Sequence, residues 1–297
     1  MNILITGSSG LIGTALRDSL AKAGHTIYAM NRRSHADSPF YWQPDENTIS
    51  FDESIKIDAV INLAGSNISD GRWTKAKKKI IFDSRINSTT LLSNHLAKLS
   101  SPPRVFISAS AIGFYGDTGE EQVDEKNIAG SDFLAHVAQK WEAATQPAVS
   151  AGIRTINLRT GIVLSPHGGA LKKMLPPFKL GLGGVIGSGK QYMSWVSLPE
   201  VCRIIEFILT TESLNGPLNM VSPSAVTNYE FTRCLGKALS RPTLFPMPAI
   251  IAKLIFGEMA DALLLSSTRV KPEKLLNNGY EFIDKDLSET LKTLLNN

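Results

Sequence analysis

The sequence predicts an α/β fold of the Rossmann type, a doubly wound parallel sheet followed by a smaller, mostly helical C-terminal unit. Three observations carry this reading. Short apolar runs alternate with helical periods between residues 2 and 160, the first run passes directly into the glycine-punctuated "TGSSGLIG" (6–13), and the texture changes after about residue 165. Strands that alternate with helices lie parallel, because a parallel pair needs a crossover, and the crossovers cover both faces of the sheet.

In chain order, "NILIT" (2–6) reads as the first strand, residues 11–24 as a helix and "HTIYAM" (25–30) as the second strand. "DAVINLAG" (58–65) is a buried strand, since its unbroken apolar run suits a sheet covered on both sides. A long helix over 74–98, the strand "RVFISAS" (104–110), a helix over 131–150 and the strand "RTINLRT" (154–160) continue the alternation. Beyond residue 165, Gly168, Gly169, Gly181, Gly183, Gly184, Gly187 and Gly189, with Pro166, Pro176 and Pro177, cut the chain into short pieces before helices resume at 198–211 and 227–240. Such composition belongs to loops that wrap a ligand or join domains. The expected division is a nucleotide-binding domain over 1–165, with 190–215 contributing, and a substrate-side C-terminal domain over 166–297.

Composition narrows the function classes. Lys and Arg exceed Asp and Glu by 31 − 27 = 4, an excess far too small for a nucleic-acid partner. The longest late apolar stretch is interrupted by Pro248, Lys253, Glu258 and Asp261, which argues against a membrane span. Cys202 and Cys234 show no metal or redox spacing, so no metal site is expected and the chain reads as a cytoplasmic protein with reduced thiols.

The first glycines have separate tasks in a strand–turn–helix unit. Gly7 turns the chain sharply, Gly10 lets the backbone approach a pyrophosphate, and Gly13 lets the helix pack closely on the strand. The phosphates then meet free N–H groups at the helix N-terminus. At the end of the second strand an NAD site usually carries an acid; here "AMNRRS" offers Arg32 and Arg33, whose forks match a 2′-phosphate, and the expected cofactor is NADP.

Together "TGSSGLIG", "NLAG" (62–65), "ISASAIGFYG" (107–116), "NLRTGIVL" (157–164) and "SWVSLPEV" (194–201) resemble the extended branch of the short-chain dehydrogenase/reductase superfamily. With "GRW", "SRI", "KWE" and "GKALSRPTLFPMP", the chain is similar to the YfcH-type epimerase family, which pairs an NADP-binding domain with a C-terminal domain of its own. The resemblance implies that Gly7, Ser9, Gly10, Leu11 and Ile12 line the pyrophosphate, and that Arg32 and Arg33 meet the 2′-phosphate. It places Leu63, Ala64 and Gly65 on the adenosine side, Ser108 and Ser110 near the nicotinamide ribose, and Arg159, Thr160, Gly161 and Ile162 near the amide.

The chain departs from that superfamily in its chemistry. The usual engine is Tyr-x-x-x-Lys with an upstream Ser or Thr, yet none of the six tyrosines has a lysine four residues on. On the expected helix the spacing is met by His136-x-x-x-Lys140, one turn apart. His136 is either an acid/base or a helix-surface histidine; Tyr115 is a second candidate, or a residue that packs beside the strand end; Ser110 is the hydroxyl best placed to polarise a carbonyl.

Elsewhere, "GVIGSGKQ" (184–191) mimics a phosphate loop, but Gln191 stands where Ser or Thr must reach magnesium and no apolar strand precedes it. Arg72 and Trp73 follow a strand-end loop that should face the ligand crevice; Asn67, Arg85 and Trp195 either join that pocket or pack within the fold. The Leu- and Phe-rich stripe after 248 reads as core or as a homodimer face. The functional expectation is hydride transfer between NADP(H) and a hydroxyl or carbonyl carbon of a small polar substrate, as oxidoreduction or within an epimerisation. The alternative is a protein that binds NADP(H) without turnover, as a sensor or scaffold.

Overall fold

The computed structural model describes residues 1–32 and 39–296; Arg33 lies outside the described residues. In chain order the first elements are β1 (Asn2–Thr6), α1 (Leu11–Lys22), β2 (Thr26–Met30), β3 (Phe40–Gln43), β4 (Thr48–Phe51), β5 (Ala59–Asn62), α2 (Lys75–Leu96), β6 (Val105–Ala111), β7 (Gln122–Val123), α3 (Phe133–Ala143), α4 (Gln146–Ser150) and β8 (Arg154–Thr160). They continue with β9 (Ile162–Leu164), α5 (Gly169–Lys179), β10 (Tyr192–Met193), β11 (Trp195–Ser197), α6 (Leu198–Thr210), β12 (Gly216–Met220), β13 (Val226–Thr227), α7 (Asn228–Ala238) and α8 (Ala249–Phe256). A six-stranded sheet runs β12-β8-β6-β5-β1-β2, every pairing parallel.

Side-chain alternation along the strands makes the sheet doubly wound. Ile3, Ile5 and Ile61 face one layer, where α1 supplies Leu16 and Leu20 and α6 supplies Ile204, Ile205 and Ile208. Leu4, Val60 and Phe106 face the other, against Leu91, Leu92 and Leu96 of α2. The chain leaves β1 for β2 on one side and later returns to place β5 on the other. The strand order therefore reverses between β1 and β5, and a crevice opens at their carboxyl ends.

Four local differences from the sequence reading have physical causes. The helix expected over 131–150 is two, α3 and α4, because Pro147 in the first turn of α4 has no N–H to continue α3's ladder. Residues 40–51 form the antiparallel hairpin β3–β4, whose alternation buries Phe40 and Trp42 against β2 and α2. A helix, α5, spans Gly169–Lys179 where glycines and prolines had suggested loops, and it buries Leu171, Leu175 and Phe178. The strand expected over 58–65 ends at Asn62, so that Leu63–Gly65 are free to line the crevice.

After β8 the chain adds a second core in which Trp195, Phe231 and Leu235 pack with α5 and the last helix, Leu287–Asn296. Helix α7 opens with a reciprocal capping box between Thr227 and Glu230. No helix among the described residues is long and apolar enough to cross a membrane.

Candidate functional site

The crevice between β1 and β5 is a cavity of about 620 Å³. Its floor depends on glycine at two points. Gly7 has φ +65°, and a Cβ there would stand 2.8 Å from the Leu63 carbonyl oxygen. A Cβ on Gly13 would stand 2.3 Å from the Gly7 carbonyl oxygen, so only glycine lets α1 lie this close to β1. Gly10, the N-cap of α1, has no side chain to cap the helix, and the orphan N–H groups of the first turn are left for a ligand. Gly7, Ser9, Gly10, Arg32, Leu63, Ala64 and Gly65, all expected at the cofactor, line this cavity; Leu11, Ile12 and Gly13 form the helix start beside it. Sequence reading missed Trp42, Asp45, Ile80 and Ser84 in the same wall. The hairpin brings the first two and one face of α2 the others, and neither approach is encoded by a local motif.

Behind the cavity, strand ends are tied by side chains. Thr6 donates to Asn62 Oδ1 at 2.7 Å, and Asn62 Nδ2 donates to Thr89 at 2.9 Å and to Ser108 at 3.3 Å. Trp141 Nε1 also donates to Thr89, at 2.9 Å. Ser108, expected at the nicotinamide ribose, is wholly buried in this network.

Ser110 lies two residues on along the same strand face and donates to Glu142 Oε1 at 2.8 Å. Glu142 also holds Arg159 in a fork, Nε to Oε1 at 2.8 Å and Nη2 to Oε2 at 2.9 Å. Arg159 Nη1 donates to the Tyr115 hydroxyl at 3.0 Å, and that hydroxyl donates to Asn219 Oδ1 at 2.7 Å. The Arg159 guanidinium lies 3.4 Å from the centre of the Phe114 ring. Burial pushes the Tyr115 phenol up to about 12, against the pull of Arg159. So buried and so partnered, the Tyr115 phenol sits as a residue that packs beside the strand end does, and the Arg159 side chain is committed to Glu142 and Tyr115. Thr160 Oγ1 turns back to the Leu158 carbonyl at 3.2 Å. Gly161 is crowded by Ser194 and Val221, and Ile162 begins the β9–β11 pair. Of the partners that close this network, Glu142 ends the motif "KWE", which says nothing of what it binds, and Asn219 lies in no motif.

His136 and Lys140 are exposed, and the His136 ring stacks on Phe82 of α2 with centroids 5.9 Å apart. At about 100° per residue they lie on the far side of α3 from Glu142. The positions one and two turns before Glu142 are Ala138 and Ala135, both buried. The structure therefore does not bring His136 and Lys140 to Ser110.

The expected substrate residues are dispersed. Asn67 Nδ2 donates to Asp70 at 2.8 Å and its Oδ1 accepts from Ser69, within its own loop. Arg72 donates to the carbonyls of Ile255, at 3.1 Å, and Leu254. In doing so it caps the C-terminal end of α8. Trp73 Nε1 donates to the Ile68 carbonyl at 2.7 Å, and its ring packs edge-on against Phe133 beside Met259. Trp195 is fully buried in the second core, its Nε1 on the Ser224 carbonyl at 2.9 Å, and is not among the residues lining the crevice. Gln191 of the phosphate-loop mimic donates to the carbonyls of Ile186 and Leu264, both at 2.9 Å, and so ties that loop to the C-terminal segment.

A model of the NAD dependent epimerase/dehydratase family matches residues 3–220. The chain belongs to this family. A second model, a domain of unknown function numbered DUF1731, matches residues 247–294. Among relatives of this family member, an epimerase family protein of Mycobacterium bovis is 42% identical over 290 residues, 97% of this chain and 96% of its own. The human epimerase family protein SDR39U1 is 34% identical over 304 residues, 99% of this chain and all of its own. A crystal structure of human SDR39U1 (isoform 2) with NADPH superposes with a TM-score of 0.90 at 32% identity, over the whole of both chains. The UDP-glucose 4-epimerase of Thermotoga maritima shares the fold, with a TM-score of 0.75 at 17% identity over all of this chain and 99% of that one. The resemblance carried by the ordered motifs thus holds for the family and for its C-terminal domain.

Proposed function

We propose that this epimerase/dehydratase-family protein binds NADP(H) across the β1–β5 crevice and transfers a hydride between the nicotinamide and a hydroxyl or carbonyl carbon of a small polar substrate. The observation that carries the reading is the uncapped N-terminus of α1, held against β1 by a Gly7–Gly13 contact that leaves no room for a Cβ. Its N–H groups would hold the pyrophosphate. Arg32 on the cavity rim would take the 2′-phosphate, and the NADPH bound to the human relative supports that choice. When bound, the cofactor supplies a hydride donor or acceptor. Ser110 has its proton engaged by Glu142, so its free lone pairs would accept from a substrate hydroxyl and orient it.

A second reading, binding without turnover, is favoured by one observation: one and two turns before Glu142, the residue that meets Ser110, α3 carries Ala138 and Ala135 and no proton-carrying side chain. Fluorescence titration of the protein and of Arg32→Ala with NADPH and NADH tests the cofactor reading. NADPH should bind at least ~10-fold more tightly than NADH, and the variant should lose that preference. Equal binding of the two, unchanged in the variant, overturns it. A panel of carbonyl substrates followed at the NADPH absorbance then separates the readings: turnover of any member removes the second, and tight binding with none consumed removes the first.

A further inference from the structure

Among the described residues, four guanidinium groups have burial as the leading influence on their ionisation, and all but one are matched by a carboxylate or by several carbonyls. Arg159 has Glu142; Arg203 has Glu200 and Asp284; Arg154 takes the carbonyls of Ile208, Thr211 and Leu214. Arg85, on α2, is the exception. Its Nη1 donates to the Ile81 carbonyl at 3.0 Å, and its guanidinium carbon lies 5.0 Å from the centre of the Trp141 ring. Among the described residues no carboxylate pairs with it, and its other N–H groups have no protein acceptor.

Its position is the second observation. A Cβ on Gly65 would stand 3.3 Å from Cζ of Arg85 and 3.4 Å from Nη2, so the charged fork lies across the backbone of Gly65, a residue of the cavity wall. Glycine there leaves room for the fork directly beside the cavity wall at the carboxyl end of β5. Trp141 and Ala138 lie about one turn apart on α3, both buried and neither charged. Burial pulls the Arg85 guanidinium down to about 10, the mark of a cation that lacks a counter-charge. An unpaired, partly desolvated charge is costly and gains most from an anion brought by a ligand.

We propose that Arg85 is the anion-anchoring residue of the crevice, its planar fork taking a phosphate or carboxylate group of the bound ligand. The inference rests on the crevice being the ligand site proposed above, and it adds that the ligand presents an oxyanion beside Gly65. Two sources share this chemistry, the pyrophosphate of the dinucleotide and an acidic group on the substrate.

The test compares the full-length protein with Arg85→Gln and Arg85→Lys, each checked by thermal unfolding, and titrates all three with NADPH. The NADPH-saturated proteins are then titrated calorimetrically with inorganic phosphate and with malonate. If the pyrophosphate is the anion, Arg85→Gln weakens NADPH binding at least ~10-fold while Arg85→Lys stays within ~3-fold. If the substrate carries it, NADPH binding stays within ~2-fold in all three, and the NADPH-saturated protein binds phosphate or malonate in a way that Arg85→Gln abolishes and Arg85→Lys retains. Identical NADPH affinities together with anion binding that is absent, or equal in Arg85→Gln, overturn the proposal. Failure of the unaltered protein to bind NADPH would instead count against the dinucleotide reading, and anion titration of the cofactor-free proteins would still report on Arg85.

Discussion

Replacing Glu142 by Gln removes one charge from a fork that is almost dry. The Arg159 and Glu142 side chains retain 4% and 13% of their exposure, with contacts of 2.8 and 2.9 Å. Gln keeps one acceptor for Ser110 or for Arg159 but leaves the guanidinium buried without a counter-charge. Removing one partner of a buried pair costs about 3–5 kcal/mol. For a chain of this size each kcal/mol moves Tm by roughly 2–4 °C, so a fall of about 6–20 °C is expected. Differential scanning calorimetry reads it directly. Arg159→Met in the Glu142→Gln background should recover a large part of the loss, because the orphaned charge is then gone while Tyr115 keeps Asn219 as acceptor. A fall under ~2 °C with cooperative unfolding preserved would refute the claim that this pair locks β6, α3 and β8 together.

Gly13→Ala forces a Cβ to within 2.3 Å of the Gly7 carbonyl oxygen, so α1 must lift from β1; a loss of about 1–3 kcal/mol and markedly weaker NADPH binding are expected, read by thermal melting and titration. Acid stability should depend on Glu200. Burial opposes its ionisation, but hydrogen bonds from Arg203, Tyr280 and the Asp284 N–H outweigh that and hold its pKa below the ordinary 4.5. A carboxylate with a depressed folded pKa contributes stability above its unfolded value and loses it as pH falls from about 4.5 through the folded value. Glu200→Gln should therefore lower stability at pH 7 and flatten the acid limb below 4.5, as followed by urea unfolding from pH 3 to pH 7; an acid limb as steep as that of the unaltered protein would refute the assignment.

The crevice was legible in the sequence because its parts are local. A strand followed by glycines at fixed spacing specifies a turn, a helix start and a close approach within thirteen residues. The chemistry of the strand ends was not legible, because it depends on partners far apart in the chain. Tyr115 meets Asn219 across 104 residues, Ser110 meets Glu142 across 32, and which side of α3 faces them is set by packing. The same limit explains His136. Spacing places it one turn from Lys140 but cannot say which face of the helix is buried, and the buried face carries Ala138 and Trp141. Trp195 shows the opposite limit: an aromatic beside a strand end can serve a pocket or a core, and here it packs with Phe231 and Leu235.

The outermost pairing of the sheet bears on how the molecule is made. β12, Gly216–Met220, completes the sheet by lying parallel to β8, with the whole of α5 and α6 between them in the chain. A ribosome that has delivered everything through β8 has supplied five strands whose last edge is open, with Ile156 and Leu158 among its residues. An open edge on an apolar strand is a template for the wrong partner. Until Leu218 and Met220 emerge to close it, the half-made protein is at its most vulnerable to association with its own kind, and the glycine-rich stretch after residue 165 is the interval over which a chaperone would have most to protect.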